Sequence, residues 1–289
     1  MDKIYRFLID DANVRGEWVQ LEETWKALKA CADYPAPVQQ MLGESLAAVS
    51  LLAATIKYKG TLVFQISGGH PISMLVVQAS SDGKLRGMAR WKDEFTADES
   101  INGLFGPDGR IVITVEPEEG KGERYQSIVN LDGDTLSGCL EAYFEQSEQL
   151  KTRLELAVGE TSVSGLLVQR LPGSVDDEDG WNRVQILTET VTTDELLTLD
   201  VETMLHRLFH EETLRLFDGE PLRFECSCSQ QKVDNMLLGL GREEAEETLR
   251  AQGKIEVDCD FCNAHYVVDE IDLERIFSEG LIAGNDSVH

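Results

Sequence analysis

The sequence has few basic residues for its size, and this deficit argues against several classes of partner. Lysine and arginine together number 26 against 53 aspartates and glutamates, which gives a formal net charge of −27 over 289 residues. Affinity for nucleic acid comes mainly from Lys and Arg side chains that neutralise phosphates, and docking on an anionic membrane leaflet needs basic clusters. We therefore expect neither a nucleic acid nor a membrane as the general partner.

Long apolar runs are missing as well. The most apolar stretch, Met41 to Ile56, is too short to span a bilayer and contains Glu44, so it indicates a core helix. The N-terminus, MDKIYRFLIDD, lacks the basic start, apolar block and small-residue cleavage site of an export signal. We expect a cytoplasmic protein, and structural disulfides are uncommon in that compartment.

No pattern typical of an enzyme active site stands out. We find no Ser-His-Asp order and no paired-carboxylate motif, and Gly68 and Gly69 resemble turn residues rather than a phosphate-binding loop. His206 and His210 are spaced i, i+4, but Arg207 stands where a zincin has its catalytic glutamate. We therefore expect a protein that is not an enzyme.

The first 172 residues predict one α+β domain with antiparallel sheets. Alternating apolar positions predict strands, and helical periodicity appears in three places. The expected strands are 4–9, 14–19, three within 59–91, 111–115, 125–130, 153–158 and 162–169, and the expected helices are 21–31, 37–56 and 135–149.

Residues 173–221 predict a helical linker. It begins in an exposed acidic connector, LPGSVDDEDG, and the signal stays helical as far as Asp218. Thr192 and Glu195 form a capping-box pattern, and Asp200 can cap the next helix. The apolar side chains of that helix recur on one face, at Val201, Met204, Leu205, Leu208 and Phe209. A helical segment of this length cannot enclose its own core, so this face must rest on another part of the molecule.

Residues 222–289 predict a small module that contains four of the six cysteines. They form Cys226-x-Cys228 and, at the turn of a predicted hairpin, Cys259-x-x-Cys262. A C-x-x-C at such a turn points both sulfurs to one side, and four thiolates are the usual ligands of a structural Zn²⁺. A module with so little core also gains folding free energy from a metal. The spacing therefore predicts one Zn²⁺ held by all four cysteines.

The C-x-C pair adds a second chemical possibility. A disulfide between residues i and i+2 closes a very small ring, so it is strained and readily reversed. Zinc needs the thiolates that a disulfide removes, and the two states exclude each other. The residues alone leave two interpretations open, a redox switch that expels its metal and a permanently closed zinc clip.

Other candidate ligands are weaker on the same reasoning. His265 lies three residues after Cys262, but four thiolates already fill a tetrahedron. Cys31 and Cys139 occur singly within apolar helical patterns, where cysteine acts as a small hydrophobe. We expect neither to take part in the metal site.

The module resembles the zinc-binding module of the heat shock protein 33 family. The similarity lies in FECSCS (224–229), KVDNML (232–237), the strand IEV, and CDFCN (259–263) followed by Tyr266. It continues upstream in Leu85 to Trp91 (LRGMARW), in Gly122 to Leu154, and in LHRLFHEE (205–212), so that it covers essentially the whole chain. One small departure is Lys151, where the family is expected to have proline.

The resemblance implies a redox-regulated, ATP-independent holdase chaperone of the stress response. In the reduced state the zinc-bound protein is expected to be an inactive monomer. Oxidants are expected to link Cys226–Cys228 and Cys259–Cys262 as disulfides, to release zinc, and to unfold the module and the linker. The product would be an active homodimer that holds unfolding client proteins until they can refold, and the linker would rest on the N-terminal domain and the zinc module until then.

Two other function classes fit the sequence less well. A zinc-ribbon nucleic-acid binder fits poorly, because residues 223–279 contain six basic and fourteen acidic residues. A thiol oxidoreductase using Cys259 and Cys262 would carry its C-x-x-C at the start of a helix near a βαβ unit, without a second cysteine pair.

Overall fold

The computed structural model describes residues 2–69, 71–92, 95, 100–118, 122–173 and 179–285. It divides the chain into two compact units, Met1–Glu225 and Cys226–His289. Residues 174–178 of the predicted acidic connector lie outside the described residues.

The first sheet of the first unit is antiparallel throughout and starts from an N-terminal hairpin. Its strands are β1 (Lys3–Ile9), β2 (Val14–Leu21), β8 (Thr152–Val158), β9 (Val163–Arg170), β10 (Leu214–Leu216) and β11 (Glu220–Pro221). They follow the order β10-β1-β2-β9-β8, and β11 also pairs with β1. The predicted strands of this sheet are confirmed to within two residues.

The second sheet lies in the same unit and comes from the middle of the chain. Its strands are β3 (Gly60–Ser67), β4 (Ile72–Ser80), β5 (Lys84–Trp91), β6 (Arg110–Pro117), β7 (Tyr125–Asn130) and β12 (Arg223–Phe224). The order is β12-β5-β4-β3-β6-β7, so β7 is an edge strand. All pairs are antiparallel except β12 with β5.

The main core of this unit surrounds the apolar helix predicted at residues 37–56. This helix, α2 (Ala36–Thr55), packs against strands of both sheets and is buried on most of its surface. A Cβ atom added to Gly43 would lie 2.8 Å from Val158 Cγ2, so the missing side chain permits the close approach of helix and sheet. The neighbouring helices are α1 (Glu23–Lys29), α3 (Ile101–Phe105) and α4 (Leu136–Tyr143), which continues into a π-helical turn at Phe144–Glu148.

The predicted linker packs on the other face of the first sheet. It forms α5 (Gly180–Thr188), α6 (Thr193–Thr198) and α7 (Val201–Phe209), and the capping box at Thr192 is present. The apolar stripe of α7 is buried in a cluster with Phe7, Trp18, Leu166 and Val168. The expectation that this stripe rests on the N-terminal domain is therefore confirmed.

The expectation that helical structure continues to Asp218 is wrong. α7 ends at Phe209, and Leu214–Leu216 instead form β10 on the free side of β1. The physical reason is a change of period, because Leu214 and Leu216 alternate with Arg215 and β1 offers an open edge.

The second unit contains a hairpin and three helices among its described residues. These elements are α8 (Gln230–Leu240), α9 (Arg242–Gln252), β13 (Ile255–Asp258), β14 (His265–Val268) and α10 (Glu270–Asn285). Their apolar faces enclose a small core: Val233, Leu237, Ala245, Ile255, Val268, Leu273, Ile276 and Phe277. A search of the described residues of both units finds no helix with the length and apolar character needed to cross a membrane.

Candidate metal centre

The first cysteine pair lies on an irregular segment between a strand and a helix. Cys226 and Cys228 follow β12, and the next residue, Ser229, caps α8 by accepting a hydrogen bond from the Lys232 amide. The Lys232 ammonium donates to the Ser227 hydroxyl at 2.9 Å. The start of α8 thus fixes the residue between the two cysteines as well as the second cysteine.

The second cysteine pair forms the turn between β13 and β14. The Cys259 amide donates to the Ala264 carbonyl at 3.0 Å, and the Cys262 and Asn263 amides donate to the Cys259 carbonyl at 3.3 and 2.8 Å. Asn263 has φ +54°, a left-handed conformation that asparagine tolerates better than most residues. These bonds make the compact turn that the C-x-x-C spacing predicts.

The two pairs come together in one cluster. All four sulfur atoms lie within 4.8 Å of one another, and every one of these side chains is partly buried. The Sγ atoms of Cys226 and Cys259 are 3.6 Å apart, and those of Cys228 and Cys262 are 3.4 Å apart. Zn–S bonds of about 2.3 Å in a tetrahedron separate the sulfurs by about 3.8 Å, so the donor set fits a four-thiolate zinc ion.

The electrostatics of the cluster also favour a cation. Burial raises the pKa of the Cys262 thiol, the Ala264 amide lowers it, and the neighbouring cysteines raise it further. Four thiols in this space resist becoming four thiolates, because each added negative charge repels the others. A divalent cation offsets this repulsion and so favours deprotonation of the four thiols.

Tyr266 is a neighbour of the cluster whose role the cysteine spacing could not indicate. A hydrogen bond with the Cys228 thiol raises the pKa of the Tyr266 hydroxyl to about 12, and partial desolvation is the second, smaller cause. The sequence feature that could have indicated its position is the alternation of the strand. It places Tyr266 on the same side of β14 as Val268, and Tyr266 is partly buried beside the core of the unit. Tyr266 therefore belongs to the shell around the four ligands.

The three histidines among the described residues are not in the cluster. The ring of His265 is engaged by carboxylates instead, with Nδ1 2.7 Å from Asp258 Oδ1 and Nε2 3.4 Å from Glu256 Oε1. His206 and His210 stack with ring centroids 5.6 Å apart on the linker. Among the described residues, the four cysteines form the single group of three or more ligands that could share an ion.

The remaining two cysteines lie in the first unit and do not belong to the group of four. Cys139 is fully buried in α4, and burial raises the pKa of its thiol. Cys31 is also buried, but it follows α1 rather than lying inside it, because that helix ends at Lys29. The predicted helix 21–31 was therefore two residues too long at each end.

Known proteins are similar to this chain over nearly its whole length. A family model described as "Hsp33 protein" matches residues 2–269. A 33 kDa chaperonin of Nitrosococcus oceani is 47% identical over 278 residues, covering 96% of this chain and 95% of the relative. A 33 kDa chaperonin of Shewanella woodyi is 44% identical over 277 residues, covering 96% of each chain.

A solved structure has the same fold. The crystal structure of the Thermotoga maritima 33 kDa chaperonin, a heat shock protein 33 homologue, aligns with a TM-score of 0.79 at 23% identity, covering 97% of this chain and 99% of that one. At this identity the likeness concerns the fold alone. The family match over nearly the whole sequence and the close relatives show that this chain belongs to the Hsp33 family.

Proposed function

We propose that this protein is a redox-regulated, ATP-independent chaperone that holds unfolding proteins during oxidative stress. The observation that carries the proposal is the cluster of four thiols, drawn from two separate pairs within one small unit. Cys226, Cys228, Cys259 and Cys262 hold one Zn²⁺ in the reduced, inactive monomer. The names of the relatives support a chaperone, and the cluster supports its control by oxidation.

Oxidation converts the ligands into groups that cannot bind zinc. Each disulfide, Cys226–Cys228 and Cys259–Cys262, forms when two thiolates and two protons reduce one hydrogen peroxide to two waters. The thiolates lose two electrons per disulfide, and the freed Zn²⁺ passes to solvent. Since zinc contributes on the order of 10 kcal/mol to the folding of small modules, its loss exceeds what a small core can replace.

The linker offers apolar surface that such a switch can release. Met204 and Leu208 are buried against the first sheet, at 0% and 2% exposure. The chain from α7 to the first cysteine pair is short and anchored, because β10, β11 and β12 each pair with a strand of the first unit. Unfolding that starts at Cys226 therefore reaches these small strands before it reaches the helices.

The other features follow from the same proposal. The switch operates in the cytoplasm, where thiols stay reduced until oxidative stress begins. The active form is a homodimer that binds client proteins without catalysing a reaction. The divisions 1–172, 173–221 and 222–289 correspond to client binding and dimerisation, the linker and the redox switch. The high net negative charge helps to keep client complexes dispersed.

The test combines zinc content, thiol count and chaperone activity in one experiment. Reduced protein should contain one zinc per chain and should not suppress aggregation of a thermally unfolding client. Peroxide with mild heating should remove zinc and four free thiols while aggregation falls over the same time course. Protein that loses zinc and thiols without gaining activity would contradict the proposal, and protein that keeps both under peroxide would favour the permanently closed zinc clip.

A further inference from the structure

The second sheet ends in an edge strand that contains no charged residue, no proline and no bulge. β7 has the sequence YQSIVN and pairs with β6 on one side without a bulge. Among the described residues no backbone hydrogen bond reaches its other side. Native edge strands are commonly blocked by charged residues, proline or bulges, and β7 has none of these although 27% of the chain is charged. Its outer backbone groups are open to pairing.

Two of the exposed side chains of β7 are large and apolar, while Gln126 and Asn130 are exposed and polar. Tyr125 is 58% exposed and Ile128 is 59% exposed, and alternation along the strand places them on opposite faces of the sheet. A short, uncharged segment of high β-propensity is also the kind that pairs readily with other extended chains. Both faces of this edge therefore offer apolar contact to a strand that pairs with it.

An apolar cavity of about 270 Å³ opens beside the same strand. Its lining includes Ile113, Tyr125, Ser127, Tyr143, Phe144 and Leu150. The Tyr143 hydroxyl lies 3.0 Å from Ser127 Oγ and donates to Glu148 at 2.7 Å, which fixes one side of the opening. The cavity is smaller than typical small-molecule pockets of about 300 to 1,000 Å³ and suits an apolar side chain of a bound peptide.

We propose that the free edge of β7 and this cavity dock an extended segment of an unfolding protein. The segment adds as the next strand of the second sheet, and one of its apolar side chains enters the cavity. Main-chain hydrogen bonds provide affinity without regard to sequence, which suits a chaperone that must hold many clients. This inference rests on the proposed chaperone function and assigns a client surface within the first unit.

The charge of the molecule argues for a client rather than a second copy of this chain. Two copies each carry a formal charge of −27, and a single six-residue edge is too small to hold two such acidic bodies together, so the proposed homodimer must form through a larger surface. The other long edge, β8, is protected in the ordinary way by charged residues, because it contains Arg153 and Glu155. α4 contacts both edge strands, so the difference between them is that β7 carries no charge.

The docking edge should be available in both redox states. It lies in the first unit and includes none of the four clustered cysteines. An extended peptide should therefore bind reduced and oxidised protein with similar affinity, while full holding activity needs the additional surface that oxidation exposes. This separates the edge from the switch experimentally.

The test uses full-length protein and a fluorescent ten-residue peptide of alternating valine and threonine with a Lys-Glu pair at its N-terminus. Ile128→Lys should weaken peptide binding by about fivefold or more in both redox states, since a cross-strand pair is worth up to about 1 kcal/mol and the lysine adds an edge charge. Ile128→Thr should bind within twofold of wild type. Ile271→Lys places the same charge at a site that is 81% exposed in the second unit, and it should also have no effect.

A second measurement keeps the inference testable if Ile128→Lys is unstable. A photo-crosslinking benzoylphenylalanine at Tyr125 should crosslink to the peptide, whereas one at Ile271 should not. Unchanged affinity in a folded Ile128→Lys variant, or crosslinks from Tyr125 to a second copy of this chain, would overturn it. Aggregation assays on oxidised wild type are run in parallel, so that a failure of the chaperone function is recognised separately from a failure of the edge.

Discussion

At the scale of single residues, Glu17 is the group whose burial has the clearest energetic consequence. It is 2% exposed on β2, opposite Arg6, and its Oε2 atom is buried without a hydrogen-bond partner among the described residues. Burial raises its pKa to about 7, against the opposing charges of Arg15 and Arg6. A carboxyl whose pKa is raised on folding contributes stability below about pH 4.5, and that contribution is lost as the pH rises through about 7.

Glu17→Gln should therefore stabilise the reduced protein in a pH-dependent way. The amide keeps the shape but cannot ionise, so the gain should be small at pH 5 and reach on the order of 3 kcal/mol or less at pH 8. Thermal unfolding followed by circular dichroism at the two pH values measures it. The exposed Glu160→Gln is the matched control, and an equal shift at both pH values would show that Glu17 is not neutral in the acidic folded state.

The two isolated cysteines should be dispensable for switching. Cys31 and Cys139 are buried at 8% and 1% exposure, and neither belongs to the group of four. Replacing both with alanine should leave zinc release and oxidative activation within about twofold of wild type, with some loss of stability from the smaller side chains. Loss of activation in a variant that still folds would mean that the switch includes one of them.

At the scale of secondary-structure elements, the sequence predicted best the bounds of those strands and helices that end at clear stop signals. The bounds of β7 agree with the predicted strand 125–130. The acidic stretch Arg242 to Gln252 also predicts a helix that stops at Gly253, and α9 has these bounds because Gly241 and Gly253 stand at its two ends. The five-residue α3 was missed because so short a helix has no measurable period. β10 was missed because it forms only by pairing with the open edge of β1, which is distant in the sequence. The four site cysteines were found from spacing, whereas Tyr266 was not, because its contact with Cys228 depends on tertiary structure.

An ion pair joins α5 to the turn that follows α7 and should help to hold the linker in the resting state. Arg183 of α5 donates to both oxygens of Glu212 at 2.9 and 3.1 Å, and the Glu212 side chain is only 6% exposed. Glu212→Gln should weaken the linker by about 2 kcal/mol, because a charged, partly buried hydrogen-bonded pair is broken. Glu211→Gln changes the neighbouring residue, whose side chain is 88% exposed, and should have little effect.

The contribution of the Arg183–Glu212 ion pair to the stability of the linker is measured by hydrogen exchange of the α7 amides in reduced, zinc-bound protein. Faster exchange in Glu212→Gln, together with activation at a lower peroxide dose or temperature, is the expected result. If both glutamine variants exchange like wild type, the ion pair contributes nothing to holding the linker.

At the scale of the whole molecule, the two units differ in what holds them together. The first has a large core around α2 and a second apolar cluster under the linker, whereas the second has a small core and four clustered thiols. Removing the metal should therefore unfold the second unit first, then release β10 to β12 and loosen the linker, and leave strands β1 to β9 of the first unit in place. The order of events follows from the distribution of apolar burial along the chain.

Simultaneous replacement of Cys226, Cys228, Cys259 and Cys262 with serine tests this order without oxidant. The variant should bind no zinc, be cut by protease between about residues 175 and 289, bind more of a hydrophobic dye and suppress client aggregation in reducing buffer. In wild type, peroxide with mild heating should produce the same changes, and reductant with added zinc should reverse them. A serine variant in which α7 stays protected from protease and clients still aggregate would mean that zinc loss does not reach the linker, since the buried stripe of α7 would then be stable on the first sheet alone.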